Sequence, residues 1–118
     1  MNTALWIAQI MLAVAFAGAG VMKLTQPKEK LQPRMAYVED FSAGTIKLIG
    51  AAELAGAIGV ILPWALGIAE ILTPVAATGL VIVMAAAIVV HLRRKEPQAL
   101  PINIVLGGLA LFVALGRF

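Results

Sequence analysis

The 118-residue chain has no cysteine. That excludes a disulfide relay, a Cys-ligated iron–sulfur cluster and a thiol nucleophile made from its own residues. A lipid anchor on a thiol is excluded too. The one histidine, His91, cannot build a multi-histidine metal or haem site by itself. Charge is scarce: Asp, Glu, Lys and Arg make up 13% of residues, against roughly 25% in soluble chains. The formal net charge of +3 stands beside apolar runs and forms no basic face. Nucleic-acid binding is therefore not expected.

Apolar side chain is abundant. Hydrophobic residues reach 62%, with a mean hydropathy of +0.99. A soluble domain this small cannot bury so much, so the bilayer is the expected solvent. Apolar runs cover about 4–24, 44–63, 68–91 and 99–116. A spanning helix needs about 20 residues. Strands do not fit runs this long, rich in alanine and without strict alternation. The expected fold class is all-α: a compact bundle of four transmembrane helices, with residues 1–118 as one integral membrane domain and no separate catalytic domain. The 63–67 link reads as a tight turn between antiparallel helices. Pro74 either kinks the third helix or stands at its first position, near Thr73. The first run exceeds a signal-peptide core and no basic residue precedes it, so it reads as a retained span.

Charge orients the bundle. Lys23, Lys28, Lys30 and Arg34 lie in the first connection, and His91, Arg93, Arg94 and Lys95 at the third. The N-terminal tail and the middle turn carry no basic residue. The positive-inside rule puts the two basic connections in the cytoplasm and both termini outside, with Arg117 dissenting. Trp6 and Trp64 then fall at the outer face, as girdle residues. In the first connection Leu31, Met35, Val38 and Phe41 recur at helical spacing. A short cytoplasmic interfacial helix is expected over 31–41, with Pro33 in its first turn and Tyr37 at headgroup level. It serves either as an amphipathic loop under the bundle or as a lid over a polar cavity.

Glu53 is the residue most at odds with its surroundings, near the middle of the second run. Lys47 precedes it by six residues, about 9 Å along a helix axis and off its face. Each needs a partner on another helix. Lys23 ends the first helix on the side of Lys47, and Glu39 and Asp40 precede the second. A cytoplasmic-side cluster of Lys23 and Lys47 with Asp40 or Glu39 is expected. Glu53 lies deeper, and three roles stay open: an interhelical hydrogen bond, a site for the polar head of a lipophilic ligand, or ion and proton passage. Glu70 reads as a surface group, Thr73 and Thr78 as local hydrogen bonders, and His91 as an interface residue. Small residues form ridges at Ala51, Ala55 and Gly59, at Ala52 and Gly56, at Ala13 and Ala17, and at Ala15 and Ala19. These suit bundle packing or a homo-oligomer face.

The segments AFAGAGVMKL, YVEDFSAGTIKLIGAAELAGAIGVILP, LTPVAATGLVIVMAAAIVVHLRRKEP and the closing GRF carry a resemblance over nearly the whole chain. In their order and content the chain resembles the DoxX-like family of small four-helix membrane proteins. The resemblance implies a bacterial or archaeal cytoplasmic (inner) membrane. Some relatives belong to a thiosulfate:quinone oxidoreductase, and others are linked to membrane redox complexes or oxidative-stress responses. Lys23 falls in the G-x-x-K-L segment, and Lys47 and Glu53 in K-L-x-G-x-x-E. The expected role is an accessory or substrate-binding subunit of a membrane redox system, with a redox partner subunit. A quinone or other lipophilic molecule would bind between helices. Glu53 would be its hydrogen-bonding group, with Lys47 and Lys23 favouring an anionic moiety. No covalent cofactor and no metal site are expected, and catalysis by the isolated chain is not expected. A small oligomeric transporter or proton-coupled permease is the second reading, and a structural scaffold the third.

Overall fold

A computed structural model describes residues 1–31 and 41–118, with Lys28 described in its backbone only. The helices are α1 (Asn2–Thr25), α2 (Lys28–Leu31), α3 (Ala43–Gly59), α4 (Leu62–Leu66), α5 (Leu72–Arg93) and α6 (Leu100–Arg117), the last entered through a 3₁₀ turn at Pro97–Ala99. Among the described residues, four spans are long and apolar enough to cross a membrane: Asn2–Thr25, Ala43–Leu66, Leu72–Arg93 and Pro97–Arg117. The fold is thus an all-α bundle of four spanning-length helices with a short connecting helix. Its longest dimension is 40 Å, enough for a hydrocarbon core of about 30 Å.

Local chemistry sets the helix ends. Ser42 caps α3, its hydroxyl accepting from the Thr45 N–H at 3.1 Å. Pro101 stands in the first turn of α6, where its missing N–H leaves no gap. Pro74 does the same in α5, which starts at Leu72, so it need not kink the helix. The second span is broken instead. Pro63 cannot donate to Gly59, four residues back, and its ring crowds that carbonyl. Accordingly α3 stops at Gly59 and α4 adds one more turn. The 63–67 segment is therefore mostly helix rather than a bare turn. It ends at Gly67, whose φ of 67° lets the Ile68 N–H reach the Pro63 carbonyl at 3.2 Å.

Within the bundle α1 packs most closely on α3, and α5 on α6; α1 also meets α6, and α3 meets α5. The shared core contains Ala8, Leu12, Phe16, Ala57, Val60, Ala77, Leu80, Met84, Ala110, Val113 and Ala114. A satellite cluster of Leu31 and Ile46 ties α2 under α3. The outward faces are apolar as well, as at Ile10, Val14, Ile82, Leu111 and Leu115. In water this surface would drive aggregation, and in lipid it is the expected exterior. The most exposed span is α5, 17% buried against 33% for α1.

The small-residue ridges divide. Ala13 and Ala17 pack against the core, Gly56 meets Leu80 and Gly59 meets Ala76 on α5, while Ala51, Ala52 and Ala55 face outward. A close backbone approach outside these ridges is made by Gly20 and Gly50. In the first connection α2 covers only 28–31; residues 32–40, with the rest of the expected interfacial helix, lie outside the described residues.

Candidate functional site

The Gly20–Gly50 crossing positions the buried charges. A Cβ added to Gly20 would lie 2.7 Å from the Gly50 carbonyl oxygen and 2.9 Å from the Leu54 nitrogen. One added to Gly50 would lie 2.7 Å from Lys23 Cβ. Only bare backbone allows this approach. Side chains lean toward the N-terminus of their own helix. Since α1 and α3 run antiparallel, Lys23 leans toward the bundle centre and Glu53 leans back toward the start of α3. They meet in a buried ion pair, Lys23 Nζ donating to Glu53 Oε1, with side-chain exposures of 7% and 4%. Glu53 is therefore not a lone acid. Pairing offsets part of the desolvation of both groups.

Lys47 sits elsewhere on α3 and is exposed. It lines a cleft of about 240 Å³ together with Lys23, Gln26, Pro27, Glu29, Ala43 and Ile46. A neighbouring hollow of about 370 Å³ is lined by Thr25, Gln26, Pro27 and Lys30. Lys23 thus belongs to both the ion pair and the cleft, and Glu53 lies behind it rather than on the cleft wall. Glu39 and Asp40, the other expected members of the cluster, lie outside the described residues.

The opposite end of the bundle holds a second polar cluster. Arg117 closes α6 and is 8% exposed. Its Nε donates to Gln9 Oε1 at 2.9 Å and its Nη1 to Asn2 Oδ1 at 2.9 Å. Gln9, fully buried on α1, donates in turn to the Val60 carbonyl at 2.6 Å. The guanidinium carbon lies 4.4 Å from the Trp64 ring centroid and 5.7 Å from that of Trp6. Thr73 donates to the Gly59 carbonyl at 3.0 Å, the very acceptor that Pro63 leaves without a helical partner. Thr73 is therefore an interhelical bonder and not a local one, whereas Thr78 bonds within its helix to Pro74 at 2.8 Å. Glu70 is exposed in the turn before α5.

Sequence reasoning placed the two tryptophans at one end but missed the network between them. The available signal was Gln9, an amide in an otherwise apolar run; the other such amide, Asn103, stands near the start of α6 and outside this network. Asn103 is 7% exposed and its Nδ2 has no hydrogen-bond partner.

A third cluster closes the turn between α5 and α6. Glu96 Oε1 lies 3.1 Å from His91 Nδ1 and accepts from Arg94 Nε at 3.1 Å. The hydrogen bond with His91, and then Arg94, holds the Glu96 carboxyl below its ordinary range despite an opposing desolvation effect. Lys95, with φ of 58°, makes the sharp turn between these partners. Among the described residues no three His, Asp or Glu side chains are grouped to share a metal ion.

The model of the DoxX-like family matches residues 7–113. No curated protein and no solved structure matches the chain significantly.

Proposed function

The chain belongs to the DoxX-like family of membrane proteins, and from that premise we propose that it is an accessory, ligand-holding subunit of a membrane redox system. The observation that carries the proposal is the cleft beside the ion pair. Two lysines, an amide and a carboxylate stand there against Ile46, Ala43 and Pro27, the mixture a polar head on an apolar tail requires. A quinone fits this donor set: Lys47 Nζ and the Gln26 amide can donate to its carbonyl oxygens, and Ile46 offers an apolar wall. Bound there, it would supply electron-acceptor chemistry that the chain's own residues lack. Lys47 is the exposed donor of the site. Lys23, held and balanced by Glu53, forms the inner wall of the cleft, and the exposed Lys47 supplies the positive charge that favours an anionic form of the ligand. A partner subunit would bring the second redox centre.

The permease reading has less support. Between the Lys23–Glu53 pair and the Gln9–Arg117 cluster stand the apolar side chains of Leu12, Phe16, Ala57 and Leu80. The basic connections support an orientation with both termini outside a bacterial or archaeal cytoplasmic membrane. A C-terminal reporter active only outside the cytoplasm should then be active.

A photoreactive quinone tests the function. With protein in lipid nanodiscs, labelling should map to 23–30 and 43–47 and fall several-fold in Lys47→Ala, with helix content unchanged. Labelling spread evenly over the lipid-facing surface, or unaltered in that variant, would refute the proposal.

A further inference from the structure

Arg117 is a buried cation that no carboxylate among the described residues matches. Among the described residues no ion pair includes it, although Glu70 is exposed at the same end. Its two hydrogen bonds go to neutral amide oxygens of Gln9 and Asn2. Its Nη2, with two N–H donors, is buried without any partner. A charged group left half-satisfied at the edge of an apolar bundle is costly, and such groups mark ligand sites.

The surroundings say which ligand. Trp64 and Trp6 flank the guanidinium, and tryptophans at the end of a span mark headgroup depth. The anion that a bilayer presents at that depth is phosphate. A guanidinium matches phosphate oxygens with parallel N–H donors. The neighbours of the guanidinium reach the surface: Asn2 is exposed, and both indoles are only partly buried. A ligand would reach the fork by displacing one of these side chains.

We infer that the Trp6–Arg117–Trp64 end of the bundle is a phosphate-binding site, with Arg117 as its charged donor. The ligand is a phosphate group, carried by an anionic lipid or free in solution. This site stands apart from the cleft at Lys23 and Lys47 and does not depend on its role.

The chain supplies its own reporter, because both of its tryptophans belong to this cluster. Protein in uncharged detergent is titrated with short-chain phosphatidylglycerol, with phosphatidylcholine as zwitterionic comparator, and with sodium phosphate against sodium chloride at equal ionic strength. Tryptophan emission is the readout. A saturable change is expected with phosphatidylglycerol if the source is lipid, or with phosphate if it is the free ion. Arg117→Gln should weaken it about tenfold or more, the loss of one charge-assisted contact. Arg93→Gln removes an exposed charge at the far end and should leave it unchanged. Native mass spectrometry of the unaltered protein adds a reading that needs no variant: phosphatidylglycerol should survive activation that strips phosphatidylcholine, if lipid is the source. No saturable response to either phosphate source, or an equal loss in Arg117→Gln and Arg93→Gln, would overturn the proposal.

Discussion

Each end of the bundle buries one cation, and the two ends do so by different means. At the basic end Lys23 reaches Glu53 across the Gly20–Gly50 crossing, and a carboxylate answers the charge. At the tryptophan end Arg117 is met by two amide oxygens and two indole rings, with one nitrogen left over. The difference follows from the side chains. An ammonium is a compact, strongly hydrated point charge that needs an anion when water is removed. A guanidinium is planar and weakly hydrated, so it can spread over amides and aromatic faces. The lysine end is therefore an internally balanced joint, and the arginine end keeps capacity for an external anion.

Breaking the lysine joint should have the largest effect. Lys23→Met or Glu53→Leu alone leaves the other charge buried without its partner. Each should lower bundle stability by about 3–5 kcal/mol, read as unfolding in mixed micelles. Gly20→Ala and Gly50→Ala come next. Each puts a methyl group against the backbone or Cβ of the facing helix, with an expected loss of about 1–3 kcal/mol. Gly18→Ala is the matched comparison. No neighbour lies within 4 Å there, and the change should stabilise by about 0.5–1 kcal/mol. Equal effects at Gly18 and Gly20 would show that close approach is not what fixes the crossing.

At the arginine end the expected effects are smaller. Arg117→Lys keeps the charge and loses the fork and the stacking, for an expected loss of about 1–2 kcal/mol. Trp64→Leu should lose more than Trp6→Leu, because its ring is nearer the guanidinium. The reverse order in thermal unfolding would mean that packing, rather than the cation–π contact, dominates.

The smallest effect lies outside both ends, in the turn of His91, Arg94 and Glu96. The Glu96 carboxyl titrates below its ordinary value of 4.5 in the folded chain. Its contribution is therefore full above the unfolded value and is lost as pH falls through the folded one. Amide protection factors in 91–99, with the intrinsic pH dependence of exchange divided out, should fall on acidification below about pH 4.5. Glu96→Gln should remove that dependence, and an unchanged pH profile in the variant would contradict this assignment.

Much of the fold was legible in the sequence because lipid imposes a length rule: four apolar runs near 20 residues give four spans. Helix ends were legible to within a few residues from the run boundaries and from Pro74, whereas the Ser42 cap and the place of Pro101 emerged only with the structure. The pairing of Lys23 with Glu53 was not legible. It depends on which helices are neighbours and on a glycine crossing that no periodic ridge announces. Ala51 and Ala55 repeat at the expected spacing and face outward, whereas Gly20 and Gly50 belong to no such repeat and pack against each other and against Leu54 and Lys23. Arg117 read as a stray charge because its partners, Asn2 and Gln9, lie over a hundred positions away in sequence. Pro63 marked the end of the second run, but not that the freed Gly59 carbonyl would bind Thr73.

Lys23 and Glu53 act as one neutral unit between the first two spans. A double-mutant cycle in lipid or mixed micelles measures that directly. Combining Lys23→Met with Glu53→Leu should restore most of the stability that either change removes, since no charge is then left buried alone. Losses that simply add, to within about 0.5 kcal/mol, would mean that the two side chains do not depend on each other.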